Sequence, residues 1–127
     1  MQNLLALKNI LLAAVFYTVL ITIALLFPTN GLPSQGIPHV DKVVHFFINA
    51  ILVFIWLFYA FLRKRDHLKR LTIVLTIISC FTYGILIEVC QEIFTTTRQA
   101  DLMDIIANST GLLAGYLAFS FVKRKIF

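Results

Sequence analysis

The chain has 127 residues and a net charge of +5, and 60% of its residues are apolar whereas 13% carry a charge. Soluble domains contain about 25% charged residues, and a domain this small leaves much of its surface in water. The composition therefore excludes a soluble globular protein and predicts a single membrane domain.

The first predicted helix covers about residues 8–27, has no charged residue after Lys8 and stops before Pro28. A membrane-spanning helix needs about 20 apolar residues, so this stretch is long enough. The alternative is a cleaved signal peptide, but the apolar core is too long and no small-x-small cleavage site follows it. We expect a retained transmembrane helix.

Three further apolar stretches follow, at about residues 42–62, 70–92 and 101–122. The connections between the four stretches are short, and the 28–40 connection holds all three prolines. Helices joined by short loops pack as neighbours in one bundle. The sequence therefore predicts an all-α, polytopic membrane protein, in which residues 1–127 form one four-transmembrane-helix domain.

The basic residues predict the orientation of this bundle. Nine of the eleven lie on one side of a four-span topology: Lys8, Arg63, Lys64, Arg65, Lys69, Arg70, Lys123, Arg124 and Lys125. Because loops rich in lysine and arginine stay in the cytoplasm, we expect both termini and the 63–70 loop to be cytoplasmic. Topology alone explains the basic residues, so they indicate neither a nucleic-acid partner nor a specific lipid. Trp56 and Tyr59, near the cytoplasmic end of the second helix, are predicted to be interfacial anchors.

The acidic residues lie at the opposite end of the predicted bundle. Five of the six occur at the outer ends of helices two, three and four: Asp41, Glu88, Glu92, Asp101 and Asp104. An ionisable group within a membrane helix costs roughly 2.5–3.5 kcal/mol, so such groups usually face the bundle interior or water.

Polar residues at this end are spaced as single stripes on their helices. Asp41, His45 and Asn49 follow a four-residue spacing, and Gly84, Glu88 and Gln91 form a second stripe. A third stripe runs along the fourth helix and ends in a small-x-x-x-small pattern that allows close helix approach: Asp101, Asp104, Asn108, Gly111 and Gly115. We expect the three stripes to converge on one pocket open to the extracytoplasmic side.

Three motifs in these stripes resemble the VanZ-like family of bacterial membrane proteins. They are DKVVHFF at 41–47, YGILIEVCQ at 83–91 and R-x-x-D-x-x-D-x-x-x-N-x-x-G-x-x-x-G at 98–115. The resemblance covers residues 38–116 and leaves out the first helix and the tail. The family is named for a protein associated with low-level resistance to the glycopeptide teicoplanin. The resemblance therefore implies a role in the bacterial cell envelope and a location in the bacterial cytoplasmic membrane, without implying a particular reaction.

The residue types favour a site that binds or modifies an envelope component. His45 is a candidate base with a neighbouring carboxylate to orient it, and Glu88 is a candidate proton donor. We assign catalytic roles to His45, Glu88 and Asp104, and substrate-binding roles to Asp41, Lys42, Gln91, Arg98 and Asn108. The expected ligand is a lipid-linked or glycan precursor, or a glycopeptide antibiotic. The surrounding membrane lipids are expected partners as well. Nothing in the motifs identifies a cofactor or an oligomeric state.

Two alternatives remain open. The oxygen-rich set of acids with one histidine is typical of Mg²⁺ or Ca²⁺ sites, although no metal-ligand motif is present and no residue is assigned as a ligand. The same residues can instead cap helices and pair with each other. For Glu92 and Asp101 this structural role is the favoured interpretation.

Overall fold

The structure is a computed structural model that describes residues 2–27, 40–94 and 102–126. These residues form four α-helices, α1 (Gln2–Leu26), α2 (Val40–Lys64), α3 (Arg70–Phe94) and α4 (Leu102–Ile126), and one short 3-10 turn, Arg65–His67. Each helix has 25 residues, which corresponds to about 37 Å at 1.5 Å per residue. That exceeds the roughly 30 Å of a bilayer core, so the prediction of an all-α, four-span membrane protein is confirmed.

The helices extend beyond their predicted bounds mainly at two places. α1 begins at Gln2, six residues before the predicted start, and α4 continues to Ile126, four residues past the predicted end. The α4 extension contains Lys123, Arg124 and Lys125, and the α1 extension precedes Lys8 and includes the polar residues Gln2 and Asn3. A search for apolar stretches therefore leaves both extensions out.

Large apolar side chains cover the outside of the bundle on all four helices, with Phe16, Leu71, Leu86 and Leu113 more than half exposed. Exposed apolar surface on every helix is typical of a protein whose surroundings are lipid tails. The side of the membrane on which each end lies stays a prediction.

The α2 helix lies at the centre of the bundle and contacts the three others. It is closest to α4, which runs parallel to it although α3 separates them in sequence. A Cβ added at Gly111 would overlap the carbonyl oxygen of Phe46, and one added at Gly115 would overlap that of Ala50. The two glycines therefore allow α2 and α4 to touch backbone to backbone, as the small-x-x-x-small pattern predicts.

We call the end where α2 and α4 begin and α3 finishes the site end, and the opposite end, with residues 63–70, the hairpin end. At the hairpin end α2 stops at Lys64, and Arg65 has a φ of +50°. This left-handed conformation is typical of the residue that ends a helix.

Side-chain hydrogen bonds attach α1 to its neighbours. The Tyr17 hydroxyl donates to the Ile48 carbonyl at 2.9 Å, and the Thr22 and Tyr83 hydroxyls lie 2.6 Å apart. The indole of Trp56 donates to Thr18 at 3.1 Å. Trp56 therefore faces α1, and its predicted place at the membrane interface stays a prediction.

Candidate functional site

Among the side chains that the structure describes, six polar ones are buried between the helices at the site end. Each is at most 4% exposed, although the surrounding surface is apolar: His45, Asn49, Glu88, Gln91, Asp104 and Asn108. They come from α2, α3 and α4, and five of them form the cluster described next. The start of α2, the end of α3 and the start of α4 thus build one site, as the stripes predict.

His45 and Asn49 on α2 are joined to Asn108 on α4 through a single oxygen. Asn108 Oδ1 accepts a hydrogen bond from Asn49 Nδ2 at 2.8 Å and lies 3.1 Å from His45 Nδ1. Asn49 Nδ2 also donates to the His45 carbonyl at 2.9 Å. Because the Asn108 atom is an acceptor, the hydrogen of the His45 ring lies on Nδ1. In the neutral ring the lone pair is then on Nε2, the nitrogen that can take up a proton.

The Glu88 carboxylate approaches the same ring nitrogen from α3. Glu88 Oε1 lies 3.4 Å from His45 Nδ1, and both side chains are at most 2% exposed. A carboxylate on Nδ1 fixes the orientation of an imidazole and stabilises its cationic form. From the sequence Asp41 is the candidate for this role, whereas among the described side chains it is Glu88 that contacts the ring.

Asp104 and Lys42 extend the cluster across α4 and α2. Lys42 Nζ lies 3.8 Å from Asp104 Oδ1, and the lysine is partly exposed whereas the acid is buried. One ligand atom each of His45, Glu88 and Asp104 lie within 4.8 Å of one another. Two carboxylates, one imidazole and one ammonium therefore meet in a volume that could also hold a cation.

The third glycine of the described helices lies below this cluster. A Cβ added at Gly84 would lie 3.1 Å from Asn108 Nδ2 and 3.6 Å from Asn49 Oδ1. Gly84 thus provides the space in which the two asparagines meet. Glu88 follows Gly84 by one helical turn on α3, toward the site end.

Gln91 makes a hydrogen bond to α1, which lies outside the cluster. Its Nε2 donates to the Leu25 carbonyl at 2.8 Å, which is one of the last four carbonyls of α1 and has no partner within that helix. The assigned binding residue Gln91 therefore connects the site to α1, a helix that the stripes did not include.

Four of the residues considered from sequence do not enter this geometry. Glu92 is exposed on α3 and lies outside the cluster, and its structural role stays a prediction. Arg98, Asp101 and the side chain of Asp41 lie outside the described residues, so their predicted roles stay predictions.

Sequence reasoning left one contributor out of the site assignment and one polar helix face out of the bundle contacts. Asn49 was placed on a stripe but given no role, although it donates two hydrogen bonds within the cluster. The polar face of α1 was not recognised, even though Tyr17, Thr18 and Thr22 fall on adjacent turns of an otherwise apolar helix. Their spacing was the available signal.

Comparisons with known proteins agree with this architecture. A family model described as VanZ/LLP1 matches residues 3–123, which extends the resemblance of the three motifs to the first helix and the tail. An uncharacterized protein of Schizosaccharomyces pombe, C11E3.10, is 37% identical over 116 residues, which are 89% of this chain and 65% of the yeast protein. This chain thus spans less than two thirds of that relative. No solved structure matches this chain.

Proposed function

This chain belongs to the VanZ/LLP1 family, and from that premise we propose that its site end binds the phosphate-bearing head group of a lipid-anchored molecule. The buried pair of His45 and Glu88 is the observation that carries the proposal. Burying ionisable groups in a membrane bundle is costly, and apolar residues of similar volume often give an equally stable core. A function at this site explains why the groups are there.

The chemistry of the cluster suits a phosphate ligand. A proton taken up at His45 Nε2 makes the ring a cation, and the Glu88 carboxylate at 3.4 Å compensates that charge. Asp104 holds the ammonium of Lys42 at the edge of the site. The imidazolium and the ammonium supply hydrogen-bond donors for an anionic oxygen group, and in this proposal Arg98 adds the positive charge that the two carboxylates otherwise balance. The same proton on His45 allows the site to act as a general acid on a bound ester.

The location and biological setting belong to the same proposal. We place both termini in the cytoplasm and the site end on the extracytoplasmic side of the bacterial cytoplasmic membrane. There the ligand is a lipid-linked or glycan precursor of the envelope, and a changed response to teicoplanin is the expected phenotype. Because a relative occurs in a yeast, we propose a ligand class, lipid-anchored phosphates, that is not confined to bacterial envelopes.

Binding to the purified protein in detergent tests the proposal. In native mass spectrometry we expect a polyprenyl phosphate to bind and the matching polyprenol, which lacks the phosphate, to bind at least about tenfold more weakly, as expected for a charge-assisted contact. His45→Gln and Glu88→Gln should each remove this preference. Glu92→Gln is the matched control, because Glu92 is an exposed acid one turn along the same helix. Equal binding of both lipids to the unaltered protein, or an unchanged preference in both cluster variants, would refute the assignment.

Arg98 provides a second test of the same site. We propose that its guanidinium binds the phosphate through two parallel hydrogen bonds, which a lysine cannot reproduce. Arg98→Lys should therefore weaken phosphate binding while the protein accumulates normally. If binding weakens only in proportion to thermal stability, Arg98 has a structural role.

The orientation is tested by reporter fusions in cells. Fusions after Lys69 and after Lys125 should report the cytoplasm, and one within residues 28–40 should report the opposite side. A single fusion on the wrong side contradicts the proposed topology.

Cation binding is a second candidate, favoured by the ligand atoms of His45, Glu88 and Asp104 within 4.8 Å of one another. One nitrogen and two carboxylates suit Mg²⁺, Ca²⁺ or Mn²⁺. If this is the function, one of these ions should raise the melting temperature without any lipid, and Asp104→Asn should remove that increase whereas Glu92→Gln should not. A melting temperature independent of all three ions excludes this candidate.

A further inference from the structure

A cavity of about 460 Å³ lies between α1, α2 and α3, away from the polar cluster. Along α2 its wall runs from Leu52 to Ala60, and along α3 from Tyr83 to Thr72. These stretches correspond to about 12 Å and about 16 Å of helix. The cavity is therefore about as deep as one leaflet, half of the roughly 30 Å hydrocarbon core.

Four hydroxyl groups in the cavity wall are already hydrogen-bonded to the protein. Three of them donate to the carbonyl four residues earlier on their own helix: Thr18, Thr76 and Ser79. The Trp56 indole donates to Thr18, and the Tyr83 hydroxyl pairs with Thr22. Since these donors are used within the bundle, this part of the wall offers methyl and ring surfaces to an occupant. Such a wall favours a hydrocarbon chain over ordered water, which needs two to four polar partners.

The hairpin-end mouth of the cavity lies beside a basic segment. Ala60 lines the cavity, and Arg63 and Lys64 follow it by three and four residues on the same face of α2. On the other wall Thr72 follows Lys69, whose carbonyl accepts the Thr72 amide at 3.0 Å. Residues 63–70 carry five basic residues and one acid, and all five basic side chains are exposed. A positive surface thus meets the open end of an apolar cleft.

We propose that this cleft holds one acyl chain of an anionic phospholipid whose head group lies against residues 63–70. The charge of the head group complements the basic segment, and the chain fills a leaflet-deep, mainly apolar cavity. Basic clusters next to a membrane helix attract anionic lipids, and here the cavity adds a site for the tail. The positive-inside pattern accounts for the basic residues by itself, but it does not account for a cavity that opens beside them.

This lipid site lies at the opposite end of the bundle from the cluster around His45, so it stands independently of the proposed function. Its occupant serves as a bound structural or regulatory lipid, and its loss should leave phosphate-dependent binding at the site end measurable. The two proposals can therefore fail separately.

Native mass spectrometry with phosphatidylglycerol and phosphatidylcholine of identical acyl chains tests the head group. The purified full chain should retain phosphatidylglycerol preferentially. The double variant Arg63→Gln/Lys64→Gln should weaken phosphatidylglycerol binding by roughly five- to thirtyfold, the range expected for two basic residues beside an anionic head group, and leave phosphatidylcholine binding unchanged. Three basic residues remain in the segment, which preserves the charge bias that sets topology. Arg124→Gln/Lys125→Gln, an equal change at the exposed end of α4, is the control and should have no effect.

Filling the cavity tests the tail. Ala60→Phe, from the α2 wall, and Ser79→Phe, from the α3 wall, should each reduce binding of both lipids, with unchanged elution in size-exclusion chromatography. Ala118→Phe is the matched control, because Ala118 is exposed and lines an apolar groove between α2 and α4 that the basic segment does not adjoin. Using two walls keeps the test valid if one variant fails to fold. Equal retention of the two lipids by the unaltered chain overturns the proposal, as does undiminished binding in the filled variants, or a dimer that dissociates when the cavity is filled.

Discussion

At the site end, α2 and α4 touch backbone to backbone at Gly111, and the space beside them holds buried charges and amides. At the hairpin end the same two helices are separated by aromatic rings, with Phe61 and Phe119 at a centroid distance of 6.3 Å, and Lys123 lies 5.6 Å above the Phe61 ring. On the α3 side of that end the packing opens into the 460 Å³ cavity.

The difference between the two ends follows from residue size. Glycines allow close approach, so polar side chains on different helices come within hydrogen-bonding distance and are shielded from lipid. Phenylalanines keep the helices apart and make contacts that depend less on orientation. A small bundle can thus be specific at one end and adaptable at the other.

The largest expected effect comes from adding volume at each end. Gly111→Leu should destabilise the protein by about 3 kcal/mol, the upper part of the range for overpacked sites, because its side chain would overlap the Phe46 carbonyl. Ala60 lines the cavity, so Ala60→Leu adds its side chain to open space and should leave the melting temperature in detergent unchanged. Thr110→Leu, exposed beside Gly111, controls for the substitution itself. Equal tolerance at residues 111 and 60 would erase the distinction between the ends.

Removing a hydrogen-bonding group should also affect the two ends unequally. Asn108→Leu deletes the oxygen that lies within bonding distance of His45 Nδ1 and Asn49 Nδ2, so unfolding should become easier by about 1–3 kcal/mol. Thr76→Val removes a bond within α3 alone and should change stability by less than about 0.5 kcal/mol. Chemical denaturation in mixed micelles measures both, and a larger loss for Thr76→Val would contradict the comparison.

A smaller effect is expected between the ends, where α1 joins α3. A double-mutant cycle with Thr22→Val and Tyr83→Phe should give a coupling of about 0.6 kcal/mol, and at most about 1.7 kcal/mol, the range for hydrogen bonds between membrane helices. The two hydroxyls lie 2.6 Å apart. A coupling indistinguishable from zero would mean that this contact does not hold α1 in place.

A change of comparable size, but in the stabilising direction, concerns the hairpin end itself. Arg65 has a φ of +50°, a conformation that costs a residue with a Cβ about 1–2 kcal/mol, and glycine loses about 0.5–1 kcal/mol of that advantage through entropy. Arg65→Gly should therefore raise stability by about 0.5–1 kcal/mol, seen as a higher melting temperature. Lys64→Gly is the control, because Lys64 has a φ of −99° in the helical region, and it should lower stability instead.

Much of the fold could be predicted from the sequence because the bilayer imposes strong constraints. Apolar stretches of about 20 residues with few charges have few alternatives to transmembrane helices. Gly111 and Gly115 also marked the closest helix contact, since only small residues at this spacing permit it. The parallel pairing of α2 with α4 was not assigned from sequence, because loop lengths indicate only which helices follow one another.

Most residues of the site could be predicted from the sequence, but the contacts between them could not. Helical spacing put His45, Glu88 and Asn108 on inward stripes, but spacing on one helix carries no information on which atoms meet across helices. The contact between Glu88 and His45 is therefore visible only in the three-dimensional structure. The cavity left no signal at all, since Thr76 and Ser79, bonded to their own helix, read in sequence like lipid-facing residues.

The shared oxygen of Asn108 also has a mechanical consequence. Its contacts with Asn49 Nδ2 and His45 Nδ1 both connect α4 to α2, so sliding or rotating one helix against the other disrupts both contacts together. With the glycine contact beneath them, α2 and α4 should move as one rigid body. Widening of the site end then falls to α3, and any outward swing of α3 carries Glu88 away from the imidazole. Opening of the bundle and loss of the carboxylate that orients His45 become a single event.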